Sequence, residues 1–230
     1  MLVKNWMSKS VISIEPKDSM QRAISLMKEH KIRMLPVLQR GKLVGVVSDT
    51  DLKRASASDA TMLDTHEMLY LLSKVKIKDI MTKNPLTVAP ECTVEETAAL
   101  LMEHKISGVP VVDGEAKVVG VITRDDLFRV LIDLSGFGKR GMQFAFQVED
   151  RAGSIKDLTD VVRKFGGRIA SILGSYERAP QGFRNVYLRI YEIPREKMVK
   201  LQEELEKKAK LLYVVDHRED RGPLCTHTGK

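Results

Sequence analysis

Apolar and polar positions change their spacing several times along the chain, and each change marks an element. Met20, Ala23, Ile24 and Met27 recur at i, i+3, i+4, i+7 after Asp18-Ser19, which predicts an amphipathic helix with a polar N-cap. Val94, Ala98 and Leu101 form a similar stripe inside Thr93-Val94-Glu95-Glu96, a capping-box sequence. Before these helices, residues 11–14 and 86–88 are short β-prone runs stopped by Pro16 and Pro90. After them, residues 35–38 with 43–47, and 109–112 with 118–122, read as hairpins turning at Arg40-Gly41 and Asp113-Gly114. Ser-Asp and Thr-Arg then open closing helices at Asp51-Leu52 and Asp126-Leu127.

The order strand, helix, strand, strand, helix occurs twice because the chain repeats itself. Shifted by 74 positions, Lys4, Met7, Lys9 and Pro16 fall on Lys78, Met81, Lys83 and Pro90, and Glu29-His30-Lys31-Ile32 falls on Glu103-His104-Lys105-Ile106. One inserted residue later, Gly45, Asp51 and Leu52 fall on Gly120, Asp126 and Leu127. Fifteen of 44 aligned positions are identical, against about three by chance, so two copies of one unit are present. Residues 53–75, with Met62, Leu63, Met68, Leu69, Leu71 and Leu72, read as helical material joining the copies.

Past the glycine-rich basic run at 135–141 the pattern changes. Met142, Phe144, Phe146 and Val148 alternate with polar or small residues as in a half-buried strand. Ser154-Ile155-Lys156-Asp157 can cap a helix whose apolar face is Ile155, Leu158, Val161, Val162 and Phe165, with Gly166-Gly167 as its stop. Residues 169–176 and 185–192 read as strands around a turn at 179–182. Pro194 suits the first turn of a second helix, in which Met198, Leu201 and Leu205 face inward and Glu203 and Glu204 can pair with Lys207 and Lys208. A last strand at 211–215 completes a ferredoxin-like βαββαβ order. The fold class is therefore α/β in the duplicated part and α+β after it. The boundaries are 1–58, linker 59–76, 77–135, linker 136–141, 142–217 and a polar tail 218–230.

Composition narrows the chemistry. The net charge is +7, but its signs are interspersed, which suits solvated faces and anionic ligands better than a nucleic-acid arm. Aromatic residues are 5%, too few for stacking platforms, so nucleic acid is not an expected partner. Cys92 and Cys225 suggest no disulfide framework. No run approaches the roughly 18 apolar residues of a membrane span, and a cytoplasmic location is expected. Five histidines form no HExxH, Cys225-Thr-His227 offers too few ligands for a metal site, and neither GxSxG nor GxxxxGK[ST] occurs. No catalytic residue, metal or enzymatic activity is expected; the chemistry reads as binding.

The duplicated part resembles a tandem pair of CBS domains, the regulatory modules named after cystathionine β-synthase. The resemblance rests on Gly45-Val-Val-Ser-Asp-Thr-Asp51 and Gly120-Val-Ile-Thr-Arg-Asp-Asp126, each preceded by Leu-Pro-Val or Val-Pro-Val and introduced by Met-Ser-Lys or Met-Thr-Lys. It implies clefts that take adenine nucleotides or adenosyl compounds such as S-adenosylmethionine, as regulatory ligands rather than cofactors. By that resemblance Asp51 and Asp126 accept from ribose hydroxyls, Ser48 and Thr123 add a hydroxyl, and Arg33 and Arg124 meet a phosphate. Ser13, Met34, Leu35 and Pro36 in one copy, and Thr87, Gly108, Val109 and Pro110 in the other, line the adenine slot. The copies are not equivalent, since Asp49 stands in the place of Arg124 and Ser107 in the place of Arg33. An Asp at a helix start also stabilises the first turn, and that explanation stands beside the ligand one.

The third module resembles an ACT domain, an amino-acid-sensing unit usually assembled in pairs. Asp150-Arg-Ala-Gly-Ser-Ile155 matches its ligand loop, which implies amino-acid binding at Asp150, Ala152, Gly153, Ser154 and Ile155; Arg168 stands where that family often has Asn. A ferredoxin-like unit used only for dimerisation is the alternative. A CBS pair followed by an ACT domain is the layout of the bacterial acetoin-utilisation regulator-like family. These resemblances imply a non-enzymatic sensor acting through a homodimer or a metabolic-enzyme partner, or alternatively a regulatory or scaffolding subunit with empty clefts.

Overall fold

Helix α1 (Met20–His30) is capped by Ser19, whose hydroxyl accepts from Arg22 N–H. Its buried face is Met20, Ala23, Leu26 and Met27; Ile24, expected on that face, is exposed instead. The hairpin of β1 (Met34–Gln39) and β2 (Lys42–Ser48) turns through Arg40 and Gly41. Their φ values of 51° and 78° are the left-handed pair that matches strand twist. Helix α2 (Asp49–Ala57) closes the first copy. The structure, a computed structural model, describes residues 1–57 and 73–218, which divide into the units Met1–Phe128 and Arg129–Lys230. Of the expected linker material at 53–75, residues 53–57 belong to α2 and residues 58–72 lie outside the described residues.

The second copy begins with α3 (Ile77–Ile80) and the two-residue strand β3 (Thr82–Lys83). Helix α4 (Val94–Glu103) carries the predicted capping box in full: Thr93 N–H and hydroxyl donate to Glu96 Oε2 at 2.9 and 2.7 Å, and Glu96 N–H donates back at 3.1 Å. Its buried stripe is Val94, Thr97 and Leu101; Thr97 is tolerated there because its hydroxyl donates to Thr93 C=O. Strands β4 (Gly108–Val112) and β5 (Val118–Thr123) pair, and α5 (Arg124–Leu134) follows. Here the turn is longer than Asp113-Gly114, because the Asp113 carboxylate accepts from both Glu115 and Lys117 N–H. The runs at 11–14 and 86–88 are not full strands; each contributes one parallel bridge, Ile14 to Val37 and Val88 to Val111.

The two copies exchange their opening segments. Ile77 is fully buried in the core of the first copy with Met20, Leu35 and Val47, while Val3 is fully buried in the core of the second with Leu101, Val109 and Ile122. Burying each side chain contributes about 1.5–3 kcal/mol to the partner copy. Backbone bonds repeat the swap: Ile77 N–H to Asp18 C=O, and Val3 N–H to Cys92 C=O. Strand β3 extends the first hairpin at Gly45 and Val46, and Ser8 pairs reciprocally with Val121 of the second. The approach explains the repeated glycines. A Cβ on Gly45 would stand 2.7 Å from Met81 Sδ and 2.9 Å from Thr82 C=O, and one on Gly120 would stand 2.5 Å from Met7 Sδ.

The second unit is a four-stranded antiparallel sheet. Strands β6 (Met142–Glu149), β7 (Arg168–Ser175), β8 (Phe183–Tyr191) and β9 (Lys210–Asp216) lie in the order β7-β8-β6-β9, with helices α6 (Ser154–Lys164) and α7 (Met198–Glu206) completing βαββαβ. Phe144, Phe146, Leu158, Val162, Leu188, Ile190, Leu201 and Leu205 form its core. Three local expectations change. Gly153, with φ of 87°, is the N-cap of α6, so Ser154 lies inside the helix and Asp157 pairs with Arg151 instead of capping. Helix α7 ends before Lys207, which leaves Glu204–Lys207 as its pair there. Arg218 is held by the Asp216 carboxylate and Ile193 C=O and so is not part of a free tail. Among the described residues no helix is long and apolar enough to cross a membrane.

Candidate ligand cleft

The hairpin-to-helix corner of each copy holds an acid and an alcohol in a closed ring. Ser48 N–H and hydroxyl donate to Asp51 Oδ2 at 2.9 and 2.6 Å, and Asp51 N–H donates back to Ser48 Oγ at 3.2 Å. Thr123 and Asp126 repeat this at 2.8, 2.7 and 3.4 Å. This is the capping box again, with Asp replacing Glu, so the capping explanation of both acids is realised. It leaves chemistry over. Both bonds to Asp51 fall on Oδ2, and its Oδ1 accepts from no donor among the described residues.

Asp51 and Ser48 line a cleft of about 430 Å³, in the size range of small-molecule sites. The cleft is assembled across the copies. The first supplies Met34, Val46, Ser48, Thr50 and Asp51; the second supplies Gly108, Val109 and Pro110 as one wall, with Lys105, Ser107 and Arg124 beside it. Of the residues expected from sequence, Met34, Ser48, Asp51, Gly108, Val109, Pro110 and Arg124 are brought together here. Ser13, Arg33, Leu35, Pro36, Thr87, Thr123 and Asp126 do not line it: Leu35 and Asp126 are buried, Ser13 and Thr87 half-buried, and Arg33 exposed.

Besides Val46, Thr50 and Ser107, which neighbour expected positions, sequence reasoning missed Thr82, Asn84, Pro85, Leu86, Lys105 and Ile106. Thr82, Asn84, Pro85 and Leu86 arrive through the segment exchange, which no hydrophobic period announces. The signal for the last two was present in the unbroken repeat Glu-His-Lys-Ile. Lys31 and Lys105 both occupy the left-handed region, at φ of 53° and 54°, and that turn sets the strand that follows at the cleft wall.

The loop at 150–155 of the second unit is arranged differently. Asp150 accepts from Tyr176 OH at 3.2 Å and faces Arg184 Nε at 3.7 Å, while Arg184 donates to Ser154 Oγ at 3.3 Å. Ser154 is buried, and Ile155 packs against the sheet core. Arg168 pairs with Glu192 and lies 5.9 Å from the Tyr191 ring. Among the described residues no group of three metal-ligating side chains occurs; Cys225 and His227 lie outside them.

A CBS domain model matches residues 3–58 and 77–133. A CBS domain-containing protein of Dictyostelium discoideum is 33% identical over 132 residues, which cover 57% of this chain and 91% of that protein. The chain belongs to the CBS domain family. Its CBS pair is also similar to part of inosine-5'-monophosphate dehydrogenase of Korarchaeum cryptofilum, at 35% identity over 54% of this chain and 23% of the dehydrogenase's length. Among solved structures, the CBS domain pair of protein MJ0100, in complex with 5'-methylthioadenosine and S-adenosyl-L-methionine, shares 32% identity at a TM-score of 0.50, covering 57% of this chain and 99% of that one.

Proposed function

We propose that this chain is a non-enzymatic, ligand-sensing regulatory protein whose CBS pair binds an adenine nucleotide or adenosyl compound. The observation that carries the reading is Asp51: one carboxylate oxygen is committed to its own helix, the other accepts from no donor among the described residues, and the residue lines a nucleoside-sized cleft. A fixed carboxylate oxygen is a charge-assisted acceptor for a ribose hydroxyl. The apolar wall of Met34, Val109 and Pro110 suits a purine face. The occupied MJ0100 pair supports the same ligand class. Thr123, Asp126, Arg33, Leu35 and Pro36, the repeat counterparts of residues at this cleft, would frame a second one.

In this reading the second unit is an ACT-like module, binding an amino acid at 150–155 or serving as the contact of a homodimer, and it passes cleft occupancy to a partner. Differential affinity of the ligand for two states of the pair would drive the response. Titration calorimetry with AMP, 5'-methylthioadenosine and S-adenosylmethionine tests the core of this. Asp51→Asn should weaken the adenosyl compound that binds by about tenfold. Absence of heat with all three compounds would refute the sensor. The match to part of a dehydrogenase favours a second reading, a regulatory subunit of a metabolic enzyme; affinity capture of one enzyme by the ligand-free chain would support it.

A further inference from the structure

Each exchanged opening carries a methionine, and the repeat places the two sulfurs alike. Met7 and Met81 are counterparts, 74 positions apart. Both are half-buried, and each packs against the core of the other copy. Each sets its sulfur against a repeated glycine: the space that a Cβ would take on Gly45 is 2.7 Å from Met81 Sδ, and that on Gly120 is 2.5 Å from Met7 Sδ. The closest oxygen of the opposing segment is in both places a backbone carbonyl, Thr82 C=O at 2.9 Å and Ser8 C=O at 3.1 Å. A thioether suits such a slot because it is unbranched and asks for no strong hydrogen-bond donor.

Oxidation ends that fit. A peroxide transfers one oxygen to the sulfur, which gives up two electrons, and the other peroxide oxygen leaves as water; the product is a sulfoxide, larger and polar. Its oxygen is an acceptor, and in either slot it meets a carbonyl, another acceptor, across a glycine that has no side chain to move aside. Half-burial keeps Met7 and Met81 within reach of a small oxidant, whereas Met20, Met27 and Met34 are buried. We propose that Met81, with Met7 as its counterpart, is a reversible oxidation site at which peroxide loosens the exchanged opening from its glycine. A reductase re-seats the segment by removing the oxygen as water while two thiols become a disulfide. Thr82, Asn84 and Pro85 follow Met81 directly and line the cleft, so the modification reshapes the cleft wall. Its effect on ligand affinity rests on the nucleoside reading above; the loosening does not.

In the test, the full chain is treated with hydrogen peroxide and conversion at each methionine is followed by peptide mass spectrometry. Amide exchange at 82–83 and AMP binding are measured on the same samples. Met102, 75% exposed, should convert first and change neither. Conversion at Met81 should then speed exchange at 82–83 by about tenfold, because those residues pair with Val46 and Gly45. AMP binding should weaken by about tenfold as the intact cleft becomes less populated. Methionine sulfoxide reductase should restore both. Met81→Leu, apolar and of similar size, should hold both values through the same treatment, and Met102→Leu should respond as the parent does. The parent chain decides the matter even without a folded leucine variant. Met81 left unmodified once Met102 is fully converted, or Met81 fully converted with exchange at 82–83 unchanged, would overturn the proposal. An untreated chain that binds no AMP would count against the nucleoside reading alone, and exchange at 82–83 would still decide the oxidation site.

Discussion

Asp51 and Asp126 each meet a structural demand at the start of a helix, and Asp51 also lines the cleft. Capping uses one oxygen of each carboxylate, so a variant can separate the two duties. Asp51→Ala removes the acceptor for Ser48 N–H and hydroxyl and should cost about 1 kcal/mol of stability, read as a lower denaturant midpoint. Asp51→Asn keeps a carbonyl acceptor and should cost less than half of that, while losing ligand affinity to the same degree as alanine. If both variants lose stability equally and neither loses affinity, Asp51 is a cap and nothing more. This level was legible in the sequence: the repeated glycine, alcohol and acid marked the corner before any coordinates did. What the repeat did not reveal was the direction of each acid, because a capping box and a ligand site ask for the same residue types.

At the level of elements, the exchanged openings decide where the cleft is. Gly45 and Gly120 admit the partner copy's opening segment, so a methyl group at either should push it away. We expect Gly45→Ala to destabilise the pair by about 1–3 kcal/mol, since backbone at Thr82 has to move. Ligand affinity should fall with it, because Thr82 lines the cleft. A stability within error of the parent would contradict the close approach. The glycines were visible in the sequence as motif positions; their steric reason was not, because it depends on segments distant along the chain, Met81 and Thr82 for Gly45 and Met7 for Gly120. The last strand offers a pH test. The Arg218 guanidinium holds Asp216 down to about 2 from 3.8. Because the folded value is depressed, the pair stabilises fully above about pH 4, and that contribution disappears as pH falls through about 2. Asp216→Asn should flatten the acid limb of a melting-temperature profile between those values, and an unchanged limb would show that the pair does not contribute there.

At the level of the molecule, a ligand in the cleft, which Asp51 lines from one copy and Gly108, Val109 and Arg124 line from the other, would tie the copies together. Hydrogen exchange with and without AMP should therefore slow amides at 48–51 and at 105–110 in parallel. At 100 times its Kd the ligand adds about 2.7 kcal/mol to the state that binds it. Protection confined to one copy would contradict a bridging ligand. Sequence periodicity had already separated a duplicated α/β part from a βαββαβ module, because each core writes its own apolar spacing. It could not show which halves of the two copies meet, since that pairing depends on contacts between segments distant in sequence and only the fold brings them together. The most direct measurement of the whole account is a crystal structure of the chain grown with AMP. Density is expected in the cleft between the copies, with a ribose hydroxyl within hydrogen-bond distance of Asp51 Oδ1 and the adenine against Val109 and Pro110. AMP bound elsewhere, or an empty cleft at saturating AMP, would contradict it.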